Sequence, residues 1–111
     1  MKEITFEEFT KFEIRTGTIL EAKLNPKAIK PAYKLKIDFG PLGTKTSSAQ
    51  ITKNYSLENL IGLQITAVIN LPLKRIAGVK SEVLVLGACS QNKDVVLLTP
   101  VESVEEGSLV G

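Results

Sequence analysis

Apolar and polar residues alternate along several stretches of the chain, which is the pattern of strands with one buried face. The alternation is strictest from Tyr33 to Phe39, where Lys34, Lys36 and Asp38 separate the apolar side chains. Further strands are predicted over residues 12–23, 44–52, 63–71, 82–88 and 95–98. The pattern therefore predicts a mainly β protein.

The first strand has a definite inward face in this prediction. Phe12, Ile14, Leu20 and Ala22 fall at positions of one parity, whereas Glu13, Arg15 and Glu21 fall at the other. Side chains of one parity point to one face of a strand, so the apolar set should face the core. Gly17 interrupts this strand and predicts a bend or a bulge there.

Two short helices interrupt the run of strands. Thr5 and Glu8 have the spacing of a capping box, which predicts a helical turn over residues 6–11 that places Phe6 and Phe9 on one face. Ser56 can cap a second helix over residues 57–61, and Gly62 can end it. Both helices are too short to change the β class.

The order strand, strand, strand, helix, strand, strand is that of a five-stranded OB-fold β-barrel. We therefore predict an all-β fold with short helices, in which residues 1–111 form a single domain. Apolar residues remain at both ends, outside the barrel strands, for example Phe6, Val101 and Leu109. Because large exposed apolar patches usually mark interfaces, the N- and C-terminal extensions are expected to form a homodimer interface.

Charge is unevenly distributed along the chain. The formal net charge is +2, yet residues 23–80 contain 10 Lys and Arg against 2 acids, while the segments before and after carry net charges of −2 and −4. Such a basic middle can attract phosphates or acidic peptides. The alternative is that the barrel strands spread these lysines over all sides, so that they are ordinary solvated cations.

An OB-fold commonly binds through strands 2 and 3 and through the loops that join strands 1–2 and 4–5. Cations occupy each of these places, and Pro72 and Gly78 indicate that the second of the two loops is bendable. A hydroxyl follows at the exit of that loop. The predicted site consists of Lys27, Lys30, Lys34, Lys36, Lys74, Arg75, Lys80 and Ser81.

Catalytic chemistry finds little support in the sequence. There is no histidine, and Cys89 is the only cysteine, so neither a thiolate pair nor a zinc site can be assembled from the usual ligands. No enzyme activity, cofactor or metal is predicted. The single cysteine fits a reducing compartment, and no signal sequence or membrane-spanning run is present, so we expect a cytoplasmic protein without membrane insertion.

Several segments together resemble the tRNA-binding domain family, and in detail its CsaA type, described as a protein-export chaperone. They are FEIRTGTILEAKL, KPAYKLKIDFG, SSAQIT, LIGLQITAVINL and SEVLVLG, which follow one another in the family's order, and the resemblance covers the chain from Ile4 to Val110. The resemblance implies an OB-fold homodimer that binds unfolded or presecretory polypeptides, or tRNA. It implies that Lys34 and Ser81 belong to the binding surface.

The chain departs from the tRNA-binding pattern at three places. Tyr33 stands where these proteins usually have aspartate, Ala49 follows Ser48 where glycine is usual, and Val83 and Leu84 replace a Gly-Met pair after Ser81-Glu82. Two functions therefore stay open: a chaperone for unfolded chains, and a structure-specific tRNA-binding protein. Scarce aromatic residues argue against stacking on single-stranded bases but are compatible with recognition of folded RNA.

Overall fold

The computed structural model describes all 111 residues, which form nine strands, two one-turn helices and the turns and loops between them. No helix has the length and apolar character needed to cross a bilayer. The strands are β1 Ile14–Leu24, β2 Tyr33–Asp38, β3 Thr44–Ala49, β4 Gln64–Val68, β5 Lys74–Ile76, β6 Val79–Ser81, β7 Leu84–Val85, β8 Gly87–Ser90 and β9 Asp94–Leu97. The helices are α1 Phe6–Phe9 and α2 Leu57–Leu60, and a 3₁₀ turn spans Gly40–Leu42.

Five strands form one antiparallel sheet in the order β3-β2-β1-β4-β7, and this sheet curls into a nearly closed barrel. Its two edges meet near β3, where the Ser47 hydroxyl donates to the Val83 carbonyl over 3.1 Å. The backbone amide of Glu82 donates to the Thr46 carbonyl over 2.8 Å. The predicted all-β, OB-type barrel with short helices is confirmed.

The core follows from the alternation in β2. Leu35, Ile37 and the adjoining Phe39 are fully buried, while Lys34 and Lys36 between them are exposed. Other strands and the second helix add the remaining fully buried apolar side chains, Ile19, Leu60, Ile65 and Ala67. Strict alternation therefore correctly predicted which face of β2 is buried.

The inward face of β1 differs from the prediction. The register of β1 against β2 shifts between Ile19 and Glu21, which leaves Leu20 as the extra residue of a β-bulge. Because a bulge reverses the parity of the residues on one side of it, Ile19 is 1% exposed and Leu20 is 44% exposed. The expectation that Leu20 faces the core is wrong. Phe12, which precedes the strand, is also largely exposed.

Gly17 is needed for packing, and no β-bulge lies at this residue. It pairs with Ile65 of β4 in regular antiparallel register. A β-carbon at this position would lie 2.7 Å from Cγ2 of Ile37 and 2.7 Å from Cε1 of Phe39. Both neighbouring side chains are fully buried and have no room to move, so only glycine fits here.

Both helices begin as predicted. Thr5 and Glu8 form the reciprocal capping box of α1, and the Ser56 hydroxyl accepts a hydrogen bond from the Asn59 amide at the start of α2. Helix α1 ends at Phe9, two residues earlier than expected. Its Phe6 side chain is exposed and lies 6.5 Å from the Phe9 ring, measured between centroids, so α1 covers none of the core with Phe6.

The segment predicted as a basic loop is largely a β-hairpin. Strands β5 and β6 pair in antiparallel fashion, and Ala77 and Gly78 form the turn with φ angles of 48° and 82°. Two successive positive φ values are typical of a tight hairpin turn whose twist matches that of the strands. Alanine rarely adopts this conformation, which explains why the sequence favoured a loop.

The predicted fifth strand is divided in two. Strand β7 pairs with β4 and β8 pairs with β9, so the apolar run leaves the barrel between them. Leu86 marks the change, because its amide donates to Thr66 of β4 while its carbonyl accepts from Leu98 beyond β9. The short hairpin β8–β9 is therefore an addition outside the five-stranded barrel.

The last residues lie along β1. The amides of Gly107 and Val110 donate to the carbonyls of Thr16 and Ile14 over 2.7 and 2.8 Å, and the Thr16 amide donates to Ser108 over 3.0 Å. Strand β2 pairs only with the second half of β1, from Thr18 onward. The C-terminal segment thus supplies the hydrogen bonds that β2 leaves unmade on the first half.

Candidate functional site

Lysines of β1 and β2 share the outer face of the barrel. In the antiparallel register, Lys23 lies directly opposite Lys34, and Glu21 lies opposite Lys36. Because alternate side chains of a strand share a face, burial of Leu35 and its neighbours turns all four charged groups outward. The predicted site residues Lys34 and Lys36 are therefore adjacent and exposed.

The loop between β1 and β2 is held against the turn of the β5–β6 hairpin by Asn25. This side chain is buried, its Nδ2 donates to the Ala77 carbonyl over 3.2 Å, and its Oδ1 accepts from the Lys27 amide over 3.1 Å. Lys27 extends along the turn, with its Cδ 3.5 Å from the position that a β-carbon of Gly78 would occupy. Asn25 thus brings two loops together that are about fifty residues apart in sequence.

A cleft of about 230 Å³ lies between these two loops, and we call it the basic cleft. Its lining residues are Lys23, Leu24, Asn25, Pro26, Lys27, Lys34, Ala77, Gly78 and Val79. It adjoins a second cavity of about 270 Å³ that is lined by Glu21, Lys23, Lys34, Lys36 and Thr46. Among the four lysines only Lys36 has a carboxylate partner, Glu21, at 3.5 Å.

The cations of the β5–β6 hairpin do not all join this cleft. Arg75 and Lys80 lie directly opposite each other in the hairpin and are exposed, but neither lines the basic cleft. Lys30 is likewise exposed and outside it. Lys74 lines a different cavity, described below. The fold thus brings Lys27, Lys34 and Lys36 together as predicted, whereas the remaining predicted cations line neither of these two cavities.

Ser81 and Glu82 attach the hairpin to β3. Ser81 is buried, and its Oγ accepts a hydrogen bond from the Ser48 amide over 3.1 Å. The Glu82 side chain accepts from the Thr46 amide over 3.4 Å through Oε2. The Ser81 hydroxyl is therefore engaged with the backbone and closes the gap between barrel edges, and its role in ligand binding stays a prediction.

An apolar groove runs along the seam where the barrel edges meet, and Leu84 divides it into two cavities. Leu84 is 51% exposed, although its neighbours Val83 and Val85 turn toward the core. The first cavity, of about 280 Å³, is lined by Ser48, Leu71, Pro72, Lys74, Ile76, Ser81, Glu82, Val83 and Leu84. The second, of about 310 Å³, is lined by Ser48, Ala49, Gln50, Ile51, Leu84, Val85, Leu86, Gly87, Cys89, Val95 and Leu97.

Lys23 was expected at the entry of the first loop but not among the site residues, and the apolar groove was not predicted from the sequence. Lys23 became part of the cleft through its register against Lys34, which a single sequence does not reveal. The groove combines residues from β3, β7, β8 and β9, and its central residue Leu84 lies within an unbroken apolar run. This run could have indicated an exposed apolar side chain, because four consecutive apolar residues cannot all face inward in a strand.

The terminal segments also expose apolar side chains. Ile4, Phe6, Val101 and Leu109 are each more than half exposed, and the C-terminal segment contacts β1 mainly through its backbone. These residues match the extensions for which a dimer interface was predicted. The assembly itself stays a prediction.

Comparison with known proteins adds three findings. A family model described as "Putative tRNA binding domain" matches residues 14–109. Methionine–tRNA ligase of Porphyromonas gingivalis is 38% identical over 109 residues, which are 98% of this chain but only 16% of that enzyme. The chain therefore spans about one sixth of the length of such curated relatives.

Two solved structures are similar over nearly their whole length. The chaperone CsaA of Bacillus anthracis has a TM-score of 0.94 and 50% identity, covering 99% of this chain and all of that one. The CsaA chaperone protein of Picrophilus torridus has a TM-score of 0.92 and 51% identity, covering 98% of this chain and all of that one.

Proposed function

Since the chain belongs to the tRNA-binding domain family, we propose that it acts as a CsaA-like chaperone, which holds unfolded or presecretory polypeptides in the apolar groove. The observation that carries this proposal is the pair of cavities on either side of the exposed Leu84. Side-chain pockets arranged along a strand suit an extended polypeptide, whose side chains alternate in direction.

The character of the groove supports a polypeptide ligand. Eight of the eleven residues that line the second cavity are apolar, and the first cavity adds Lys74 and Glu82 at its margin. Burying one client side chain of Leu or Val size there would contribute about 1.5–3 kcal/mol. Two such contacts without a specific polar pattern give weak, sequence-tolerant binding, which suits a protein that must release its clients.

A second candidate function is binding of folded tRNA, and the basic cleft is the observation that favours it. Lys27, Lys34 and Lys36 lie together on one side of the barrel. Phosphate contacts of this kind supply affinity that is largely independent of sequence. No aromatic side chain lines the cleft, so shape and phosphates would be recognised rather than stacked bases.

We further propose that the protein is a homodimer whose subunits associate through the terminal segments. Ile4, Phe6, Val101 and Leu109 expose apolar surface, and Leu109 pairs with Arg15 in the first half of β1. A two-fold contact would cover the same patch on both subunits. The apolar groove and the basic cleft include none of these residues, so both would stay open in the dimer.

The experiment is a binding titration with a chemically unfolded client by fluorescence anisotropy, using the intact protein, a groove variant and a matched control. Leu84→Ser should weaken client binding about five- to tenfold, because it removes one apolar contact. Leu20→Ser changes a leucine of similar exposure that lines neither cavity, and it should leave affinity unchanged. Equal affinity of both variants for the client would contradict binding at the groove.

Folded tRNA provides the other arm of the same titration. If the protein neither binds an unfolded client nor slows its aggregation, but binds tRNA below micromolar at about 150 mM salt, the chaperone proposal fails and RNA binding remains. Client binding through apolar contacts should show a negative heat-capacity change, which calorimetry at several temperatures measures.

A further inference from the structure

Two lysines of the basic cleft oppose each other. Lys23 of β1 and Lys34 of β2 are direct partners in the antiparallel ladder, and both line the cleft. Like charges directly opposite each other in a sheet destabilise the pairing. Lys27 brings a third ammonium group into the same cleft from the adjoining loop.

None of these three lysines forms an ion pair within the protein. The protein has two ion pairs, Arg15 with Glu13 and Lys36 with Glu21. Glu21 therefore balances the lysine of the neighbouring cavity, whereas Lys23, Lys27 and Lys34 have no carboxylate within 4.0 Å. The cleft concentrates a positive charge of three in a volume of about 230 Å³.

The walls of the cleft are held in place before any ligand arrives. Asn25 fixes the loop to the hairpin turn, and Val79, which also lines the cleft, is buried. The backbone of the cleft therefore loses little flexibility when a ligand binds, which favours a defined site over a diffuse charged surface.

We propose that the basic cleft binds a compact di- or triphosphate group, either as inorganic polyphosphate or at the end of a nucleotide. A phosphodiester chain carries a single negative charge per nucleotide, spread along its length. A di- or triphosphate instead places three or four charges in one small volume, which matches three lysines that line one cleft. Lysine binds phosphate as a point charge and needs no planar geometry to do so.

This ligand would occupy a site apart from the polypeptide groove. The basic cleft shares no lining residue with either cavity of the apolar groove. Phosphate binding can therefore be tested without changing any residue that the proposed client contacts.

Calorimetric titration of the intact protein with inorganic tripolyphosphate at about 150 mM salt tests the site. We expect saturable, submillimolar binding of one ligand per chain. Lys34→Gln and Lys23→Gln should each weaken it about tenfold, as the loss of one charge-assisted hydrogen bond does. Lys53→Gln removes an exposed lysine elsewhere and should have no effect. Glu21→Gln frees Lys36 and should tighten binding.

A second readout needs no ligand. If Lys23 and Lys34 repel each other, Lys34→Gln should raise the melting temperature at low salt, and added salt should remove this gain. A lysine with a purely structural role would lower the melting temperature instead. A lower melting temperature of Lys34→Gln, together with unchanged tripolyphosphate binding by this variant, would overturn the proposed phosphate site.

The source of the phosphate is decided by parallel titrations with ATP, AMP and tripolyphosphate. Tighter binding of ATP assigns a nucleotide, and equal affinity for ATP and tripolyphosphate assigns the polyphosphate group alone. The proposal is refuted if neither ATP nor tripolyphosphate binds with submillimolar affinity, or if Lys53→Gln and Lys34→Gln lose affinity equally. If tRNA binds and tripolyphosphate does not displace it, RNA binding stands and the compact site does not.

Discussion

Val83 and Leu84 offer a sharp test of how the seam of the barrel works. Tyrosine fluorescence and circular dichroism can follow the effect of replacing them, singly and together, by the Gly-Met pair usual in tRNA-binding relatives. Val83 is 4% exposed and belongs to the main core cluster, whereas Leu84 is half exposed in the groove. The two substitutions should therefore have very different effects on stability.

The magnitude follows from burial. Full burial of a valine side chain contributes about 1.5–3 kcal/mol, which Val83→Gly forfeits. The added backbone freedom of glycine costs a further 0.5–1 kcal/mol or so, giving a total loss of about 2–4 kcal/mol. Leu84→Met keeps volume and exposure, so its effect should stay within about 0.5 kcal/mol.

Urea unfolding curves measure both values. The chain has no tryptophan, but Tyr33 donates through its hydroxyl to the Tyr55 carbonyl, and the Tyr55 hydroxyl accepts from the Leu97 amide. Tyrosine emission and far-UV circular dichroism should therefore change together in a two-state transition. A loss below about 1 kcal/mol for Val83→Gly would refute the view that this residue anchors the seam.

Function separates the same variants. Met retains the apolar wall between the two cavities, so Leu84→Met should suppress aggregation of a denatured client as well as the unchanged protein does. If tRNA binding needs a flexible backbone at positions 83 and 84, only the variants that contain Val83→Gly should bind tRNA more tightly. Tighter tRNA binding by the single variant Leu84→Met would show that tRNA binding is not limited by backbone flexibility at position 83.

Three further measurements test other parts of the structure. Gly17→Ala should lower the free energy of unfolding by about 1–3 kcal/mol through overpacking against Phe39. Gly111→Ala is the control, because its β-carbon would meet nothing and its φ is not positive. Equal losses of both variants in urea unfolding curves would contradict overpacking. Light scattering at micromolar concentration should give the mass of a dimer, and a monomer mass would exclude the proposed assembly. Lys34→Gln should lower the salt slope of any tRNA binding by about one unit or somewhat less. Lys2→Gln is the control for that slope.

The sequence predicted the fold well where side-chain alternation is strict. In β2 every second residue from Tyr33 is buried, and this strand organises the core. Prediction failed in β1, because a bulge at Leu20 leaves no mark in the residue types around it. It also failed at Ala77, where tertiary contact with Asn25 holds an alanine at positive φ.

The candidate site was predictable only in part. Exposed lysines at Lys34 and Lys36 follow from alternation, and their proximity to Lys27 follows from OB topology. The pairing of Lys23 with Lys34 depends on register, and register is fixed by the bulge. The apolar groove depends on which residue of the apolar run 83–86 points outward. This orientation is determined by the way in which the two edges of the barrel meet.

The C-terminal segment along β1 has a consequence for the order of folding. Arg15 donates to the Gly107 carbonyl, a contact between residues 92 positions apart. During synthesis the first half of β1 can pair with β4 as soon as that strand emerges, but its other edge has no partner until residues 107–110 arrive. An unpaired strand edge of this kind is a template for pairing with other chains. Each newly synthesised chain therefore exposes an unpaired, aggregation-prone edge of β1 until residues 107–110 have been made.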